Sequence, residues 1–185
     1  MGEVFVIAGA AGSGKTTFGR ALAKRLAIPL LDLDDVTAPL VENFRAAHPQ
    51  HDEAEALRLL RDDRYRELQQ AAVTATSNRK SVIVAAPFTS EVSSPERWLG
   101  FTSPFGSLNT VQLIWLEVSR EERLRRMKAR GASRDAHMTS AGSGVGGLAP
   151  VIPPVVGHLS IDAELTNEEK IALVLSCFGG DSLPV

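Results

Sequence analysis

The chain has 185 residues, 44% of them hydrophobic and 23% charged, which is the composition of one soluble globular domain. Its 20 basic and 22 acidic side chains give a net charge of −2, so neither nucleic acid nor an anionic membrane is an expected partner. The single cysteine, Cys177, excludes an intramolecular disulfide, and we expect a cytoplasmic protein.

Short apolar runs alternate with longer amphipathic stretches, a pattern that predicts strands joined by helices into a parallel sheet. Strands are predicted at residues 4–8, 29–33, 81–86, 111–117 and 155–161. Helices are predicted at residues 15–26, 35–47, 54–77, 119–130 and 167–177. Capping boxes, Ser119 with Glu122 and Thr166 with Glu169, mark the starts of the last two helices.

Residues 131–154 interrupt the alternation with five Gly and three Pro and show no periodicity. Such a segment buries little apolar surface, and we interpret it as mobile: either a plain surface loop or a lid that closes over a ligand. Since the chain has no internal repeat and no second composition boundary, we predict a single domain over residues 1–185.

Residues 9–16 read GAAGSGKT, which matches the phosphate-loop pattern G-x-x-x-x-G-K-[ST] between a predicted strand and an amphipathic helix. Glycines at these positions allow successive N–H groups to converge on phosphate oxygens. Lys15 is predicted to bind the β and γ phosphates of ATP, and Thr16 to bind Mg²⁺. The predicted nucleotide-binding residues of the loop are Gly9, Gly12, Ser13, Gly14, Lys15, Thr16 and Thr17.

Acidic residues follow the second predicted strand, at the sheet edge where open parallel sheets bind ligands. In an extended segment Asp32 and Asp34 would project to the same side, and their repulsion favours a metal or a hydroxyl-bearing ligand between them. A helix N-cap with favourable first-turn charge is the alternative explanation for Asp34 and Asp35.

The run from Val4 to Asp35, with its phosphate loop and its LDLDD sequence, resembles the opening of shikimate kinases and, more loosely, gluconate kinases and related small-molecule kinases. The resemblance implies a three-layer αβα P-loop NTPase fold, with a five-stranded parallel sheet, the phosphate loop on the central strand and a mobile lid. It also implies that Asp32 serves Mg²⁺ and the acceptor hydroxyl, and that Asp34 binds the acceptor.

Residues 116–135 look like the strand, helix and arginine-bearing lid of these kinases. Arginines at the end of such a helix neutralise charge on a transferring phosphoryl group. Arg130 and Arg134 are therefore predicted to act in catalysis with Lys15 and Asp32, and Arg126 to stack on adenine.

A solvated basic helix face is the alternative explanation for the arginines of this helix. Glu121 and Glu122 could pair with Arg125 and Arg126, four positions further along. We favour that explanation for Arg123 and Arg125. Histidines His48 and His51 lack metal-site spacing and are expected on the surface, whereas Cys177 is expected in the core.

Two departures from the kinase pattern concern the metal and the acceptor. Ala85 stands where many relatives carry the Walker B aspartate, and the Gly-Gly-Gly turn and Arg-Pro lid of shikimate kinases are not found. The expected acceptor is therefore not shikimate. Arg61 and Arg64 could bind an anionic acceptor, although a solvated charged face is the alternative for both.

The sequence thus predicts an ATP- and Mg²⁺-dependent phosphotransferase acting on a hydroxyl of a small molecule. Its expected partners are the nucleotide and the acceptor, with no nucleic acid and no membrane, and its expected state is a monomer or a homodimer. Two alternatives stay open: an ATP-binding regulatory module with weak or no hydrolysis, and a kinase of nucleotide or polynucleotide 5′ ends.

Overall fold

The computed structural model describes residues 2–130 and 150–178, without the side chains of Asn78 and Arg130. Five strands form one parallel sheet: β1 (Gly2–Ala8), β2 (Leu30–Asp32), β3 (Val82–Ala85), β4 (Asn109–Glu117) and β5 (Leu159–Asp162). Their order, β2-β3-β1-β4-β5, puts β1 at the centre. The predicted sheet, with the phosphate loop on its central strand, is confirmed.

Seven α-helices lie within the described ranges: α1 (Lys15–Leu26), α2 (Leu33–Ala47), α3 (Glu53–Leu59), α4 (Arg61–Ala75), α5 (Pro95–Thr102), α6 (Arg120–Arg130) and α7 (Asn167–Phe178). Short 3-10 helices occupy Ser77–Arg79, Glu91–Ser93 and Ser103–Phe105. Within those ranges no helix combines the length and apolarity needed to cross a bilayer.

The sheet separates two hydrophobic cores, as expected for three layers. Because strand side chains alternate, Val4 and Val6 of β1 face the core under α4 and α5, which contains Leu68 and Phe101. The opposite face packs Phe5 against α1 and α7. Residues Val4 to Ala8 have no exposed surface, so the strand that carries the phosphate loop is a rigid support.

The main differences from the sequence prediction concern four helices and strands. The helix predicted at 54–77 breaks at buried Leu60 into α3 and α4. Because no Gly or Pro stands at this break, the hydrophobic periodicity of the sequence does not reveal it. Helix α2 begins at residue 33 rather than 35, because Asp32 caps it. Strand β5 spans 159–162 rather than 155–161, and α5 was not predicted although Ser94 and Pro95 are typical of a helix start.

Both predicted capping boxes lie where a helix begins. The Thr166 N–H donates to Glu169 Oε2 at 2.8 Å, and the Glu169 N–H donates to Thr166 Oγ1 at 3.3 Å. At α6, the Glu122 N–H donates to the Ser119 hydroxyl at 3.2 Å. The prediction for Cys177 is wrong: it lies on an exposed face of α7, since Val174 takes the buried position of that turn.

Candidate active site

The phosphate loop connects β1 to α1 and depends on three glycines with positive φ. Gly9, Gly12 and Gly14 have φ values of 144°, 82° and 88°, which side-chain-bearing residues rarely adopt. Gly14 precedes α1, and no described side chain caps that helix. The first N–H groups of α1 are therefore available to an anion, and phosphate binding there stays a prediction.

The loop is pressed against β4 and α6. A Cβ atom on Gly9 would lie 2.8 Å from the Leu116 carbonyl oxygen and 2.9 Å from Ser13 Oγ. A Cβ on Gly12 would lie 3.4 Å from both the Arg123 carbonyl oxygen and Met127 Cγ. Gly9 is thus needed for close backbone approach as well as for its dihedral angle, whereas Gly12 is needed for its dihedral angle.

Lys15 and Thr16 begin α1 beside the end of β2. Lys15 Nζ donates to the Ala10 carbonyl oxygen at 2.9 Å. The Thr16 hydroxyl donates to Asp32 Oδ2 at 2.7 Å, and Asp32 Oδ1 accepts the Asp34 N–H at 3.0 Å. Asp32 is 7% exposed, so one buried carboxylate both caps α2 and joins the phosphate loop to β2.

The arrangement of Asp32 and Asp34 differs from the extended pair that the sequence suggests. Because α2 begins directly after Asp32, Asp34 lies in the first turn of a helix and not on a strand. The sequence alternative of a helix cap is correct for this segment, although the capping residue is Asp32. Asp32 is aligned with Ala85 of β3 in the sheet. A carboxylate therefore lies next to the position where the expected Walker B acid is missing.

Arg64 of α4 holds Asp34 and is almost fully buried. Its Nη2 donates to Asp34 Oδ1 at 2.6 Å and its Nε donates to Thr37 Oγ1 at 2.8 Å. The Asp34 side chain is 46% exposed, which leaves part of the carboxylate accessible. A cavity of about 200 Å³ opens beside this pair, lined by residues that include Asp34, Glu42, Arg45, Glu53, Leu57 and Arg64.

Arg61 faces a different part of the molecule, the loop after β3. Its Nη2 lies 2.7 Å from Glu91 Oε1, and its guanidinium carbon lies 4.5 Å from the centre of the Tyr65 ring. Burial, reinforced by the negative charge of Glu91, raises the pKa of Tyr65, whose hydroxyl oxygen accepts the Phe88 N–H at 3.0 Å. The structure therefore brings Arg64, but not Arg61, to the lining of the cavity beside Asp34.

Arg126 of α6 reaches the phosphate loop and the segment after β5. Its Nη1 donates to the Ser13 carbonyl oxygen at 3.5 Å, and its Nη2 donates to the Ala163 carbonyl oxygen at 3.2 Å. Hydrogen bonds lower the pKa of Glu122 to about 2, with the larger effect from Arg125 and the second from Arg126. The negative charge of Glu122 thus holds Arg126 next to the loop, where its stacking on adenine stays a prediction.

Arg123 lies in a different environment from the one that the sequence predicts. The expected solvated position is wrong, because Arg123 is 4% exposed and its Nε donates to the Ala11 carbonyl oxygen of the loop at 3.2 Å. Burial, together with the charge of Arg120, lowers the pKa of Arg123. Its i+4 spacing from buried Met127 is the signal that could have placed it on the inner face of α6. Arg125 is exposed, as expected, and it pairs with Glu122 at i+3, where the sequence suggested Glu121 at i+4.

Two predicted catalytic arginines cannot be placed. Arg130 ends α6, but its side chain is not described. Arg134 and residues 131–149 of the proposed lid lie outside the described residues. In the parts of the chain that are described, no group of three or more His, Cys, Asp or Glu side chains is arranged to hold a metal ion. A metal ion at this site would therefore be held by one or two protein oxygens together with oxygens of the bound ligand. The side chains of Thr16 and Asp32 are suited to supply the protein oxygens.

Comparisons with known proteins agree with this fold. A shikimate kinase from Synechococcus sp. (strain CC9605) is 30% identical over 139 residues, or 75% of this chain, and the match spans 62% of the length of that relative. A gluconokinase structure from Sinorhizobium meliloti 1021 has a TM-score of 0.60 at 20% identity, covering 95% of this chain and 90% of its own. An APS kinase from Mycobacterium tuberculosis has a TM-score of 0.64 at 14% identity, covering 97% and 98%.

The similarity to shikimate kinases therefore extends well beyond the opening run on which the sequence resemblance rests. The family model described as an AAA domain, AAA_33, matches residues 4–142, which is most of the chain and includes the phosphate loop, the Asp32 segment and α6. This protein belongs to the AAA domain family AAA_33.

Proposed function

We propose that this protein is an ATP- and Mg²⁺-dependent phosphotransferase that moves the γ-phosphoryl group to a hydroxyl of a small molecule. The observation that carries the proposal is the hydrogen bond of 2.7 Å between Thr16 and Asp32. It joins the phosphate loop to the carboxyl end of β2, where Asp34 and Arg64 border a cavity. The proposed donor and acceptor sites would thereby be adjacent. The kinases among the similar proteins support the same reaction class.

The donor nucleotide would bind through the loop amides and Lys15. The positive-φ glycines form the cradle, and the fully buried Ser13 hydroxyl has no hydrogen-bond partner among the described residues. Lys15 Nζ lies on the Ala10 carbonyl oxygen and would exchange that contact for phosphate oxygens. Arg126 would hold the base side of the nucleotide from α6.

The donor set fits Mg²⁺, which prefers hard oxygen ligands. Thr16 and Asp32 would hold the ion through the hydroxyl and carboxylate oxygens that now contact each other. When bound, Mg²⁺ supplies neutralisation of phosphate charge. Side chains of the protein perform the other steps. Asp32 orients the attacking hydroxyl and receives its proton, while Lys15 stabilises the departing phosphates. Arg130 and Arg134 are proposed to close over the transferring group, on the sequence resemblance alone.

The acceptor would bind in the cavity between α2, α3 and α4. Asp34 accepts a hydrogen bond from an acceptor hydroxyl, and Arg64 holds Asp34 through a hydrogen bond of 2.6 Å. In the transfer step the acceptor oxygen forms a bond to the γ phosphorus as the bond between the γ phosphorus and the β–γ bridging oxygen breaks. ADP leaves with that electron pair, and the hydroxyl proton passes to Asp32.

The test is ATP consumption by purified protein against a panel of sugars, sugar acids, nucleosides and aminoglycosides. We expect one class of these compounds to raise the rate of ATP consumption several-fold above the rate that the protein shows without an acceptor. D32N should abolish transfer and retain nucleotide binding, because the loop amides and Lys15 hold the phosphates. D35N is the matched control, because among the described residues the Asp35 side chain forms an exposed pair with Arg20. Tight ATP binding with a flat response across the panel would favour the regulatory module instead.

A further inference from the structure

We propose that Arg123 is a positioning residue, which holds the Ala11–Gly12 peptide so that the Gly12 N–H points toward bound phosphate. The inference rests on the proposed nucleotide binding. It starts from the hydrogen bond of 3.2 Å between Arg123 Nε and the Ala11 carbonyl oxygen, which connects residues 112 positions apart. No motif in the sequence assigns this arginine a role.

Peptide geometry turns this contact into a constraint on the loop. The Ala11 carbonyl and the Gly12 N–H belong to one planar peptide unit, and in a trans peptide they point in opposite directions. A donor that fixes the carbonyl toward α6 therefore directs the N–H away from α6. In a phosphate loop that inner side is where successive N–H groups converge on the anion. A hydrogen bond from a guanidinium also polarises the peptide, which strengthens its N–H as a donor.

The packing around Gly12 shows that the contact is built into the fold. A Cβ on Gly12 would lie 3.4 Å from the Arg123 carbonyl oxygen and 3.6 Å from its Cα, so the α6 backbone lies directly against the loop. One turn later, Arg126 makes the corresponding but longer contact, 3.5 Å, to the Ser13 carbonyl oxygen. Helix α6 thus supports two alternate peptides of the loop, those that carry the Gly12 and Gly14 N–H groups.

The burial of Arg123 supports a positioning role for its contact with the phosphate loop. A guanidinium on a helix surface can stay hydrated at no cost, whereas Arg123 is only 4% exposed. Removing a charged group from water is unfavourable unless hydrogen bonds replace the lost hydration. Because Gly12 has φ of 82° and no side chain, its peptide would otherwise rotate easily. Arg123 limits that rotation before the nucleotide arrives, which lowers the entropy cost of binding phosphate.

The experiment compares R123M and R123K with K128M, measured by calorimetry against Mg·ATP, inorganic tripolyphosphate and adenosine. Lys128 lies on the exposed face of α6, so K128M removes the same charge without touching the loop. We expect R123M to weaken Mg·ATP and tripolyphosphate about tenfold, which corresponds to about 1.4 kcal/mol. Adenosine binding should not change. R123K should recover part of the loss, and K128M should bind all three ligands as the wild type does.

A readout without ligand separates positioning from general support of the fold. In the free protein, R123M should shift the ¹H–¹⁵N resonance of Gly12, whereas K128M should leave it unmoved. An unmoved Gly12 resonance, or equal weakening of adenosine and Mg·ATP, would overturn the inference. If the wild type binds Mg·ATP poorly, the proposed function fails by itself, and the Gly12 resonance still decides whether Arg123 orients this peptide.

Discussion

Replacing Asp32 with Ala should cost both stability and chemistry, and the two losses can be separated. Asp32 Oδ1 caps α2 at Asp34, and Oδ2 accepts the Thr16 hydroxyl. The alanine variant loses both hydrogen bonds. The asparagine variant, D32N, keeps a carbonyl oxygen of similar geometry for one of them and so should retain the N-cap.

The structure sets the size of each loss. An N-cap removed to alanine costs about 1 kcal/mol. The hydroxyl contact adds about 1 kcal/mol, because Asp32 is 7% exposed and water replaces it poorly as a partner of Thr16. D32A should therefore lower the free energy of unfolding by about 2 kcal/mol, and D32N by less than about 1 kcal/mol because asparagine caps as well as aspartate does.

Urea denaturation followed by circular dichroism measures these differences, and phosphoryl transfer is assayed on the same preparations. Both variants should lose transfer, while only D32A should lose substantial stability. T16V provides the partner for a double-mutant cycle, in which T16V and D32A should couple by about 1 kcal/mol. Equal stability of D32A and D32N, or no coupling to Thr16, would refute the reasoning.

Three further predictions concern the loop, the acceptor side and α6. G12A should lower the thermal midpoint, because φ of 82° costs a side-chain-bearing residue about 1–2 kcal/mol, whereas G100A in helix α5 should be neutral or stabilising, since its Cβ meets open space. R64M should cost about 2 kcal/mol in urea denaturation because it strips a buried partner from Asp34; a loss below about 0.5 kcal/mol, typical of exposed pairs, would contradict this. Glu122 has a folded pKa of about 2, below its ordinary 4.5, so its stabilisation is present above pH 4.5 and disappears as the pH falls to 2. The difference in thermal midpoint between wild type and E122Q should follow that window, and a difference independent of pH would count against the role of Glu122.

Local patterns were sufficient for the sheet and the phosphate loop. The strands and the loop are specified by neighbours within a few residues: apolar runs, glycines that permit positive φ, and a helix that starts at Lys15. The capping box at Thr166 belongs to the same class, since both of its hydrogen bonds connect residues three positions apart. Such short-range constraints can be identified from the sequence without knowledge of how the chain folds.

The amino-acid sequence by itself determined a P-loop α/β domain and pointed to Asp32 and Asp34. Tertiary structure alone decided their partners, because Arg64 meets Asp34 across 30 residues and Arg123 meets Ala11 across 112. Long side chains such as arginine reach water or a buried carbonyl equally well from the same helical spacing. Which of these they contact depends on the element packed opposite, and for Arg123 that element is the phosphate loop.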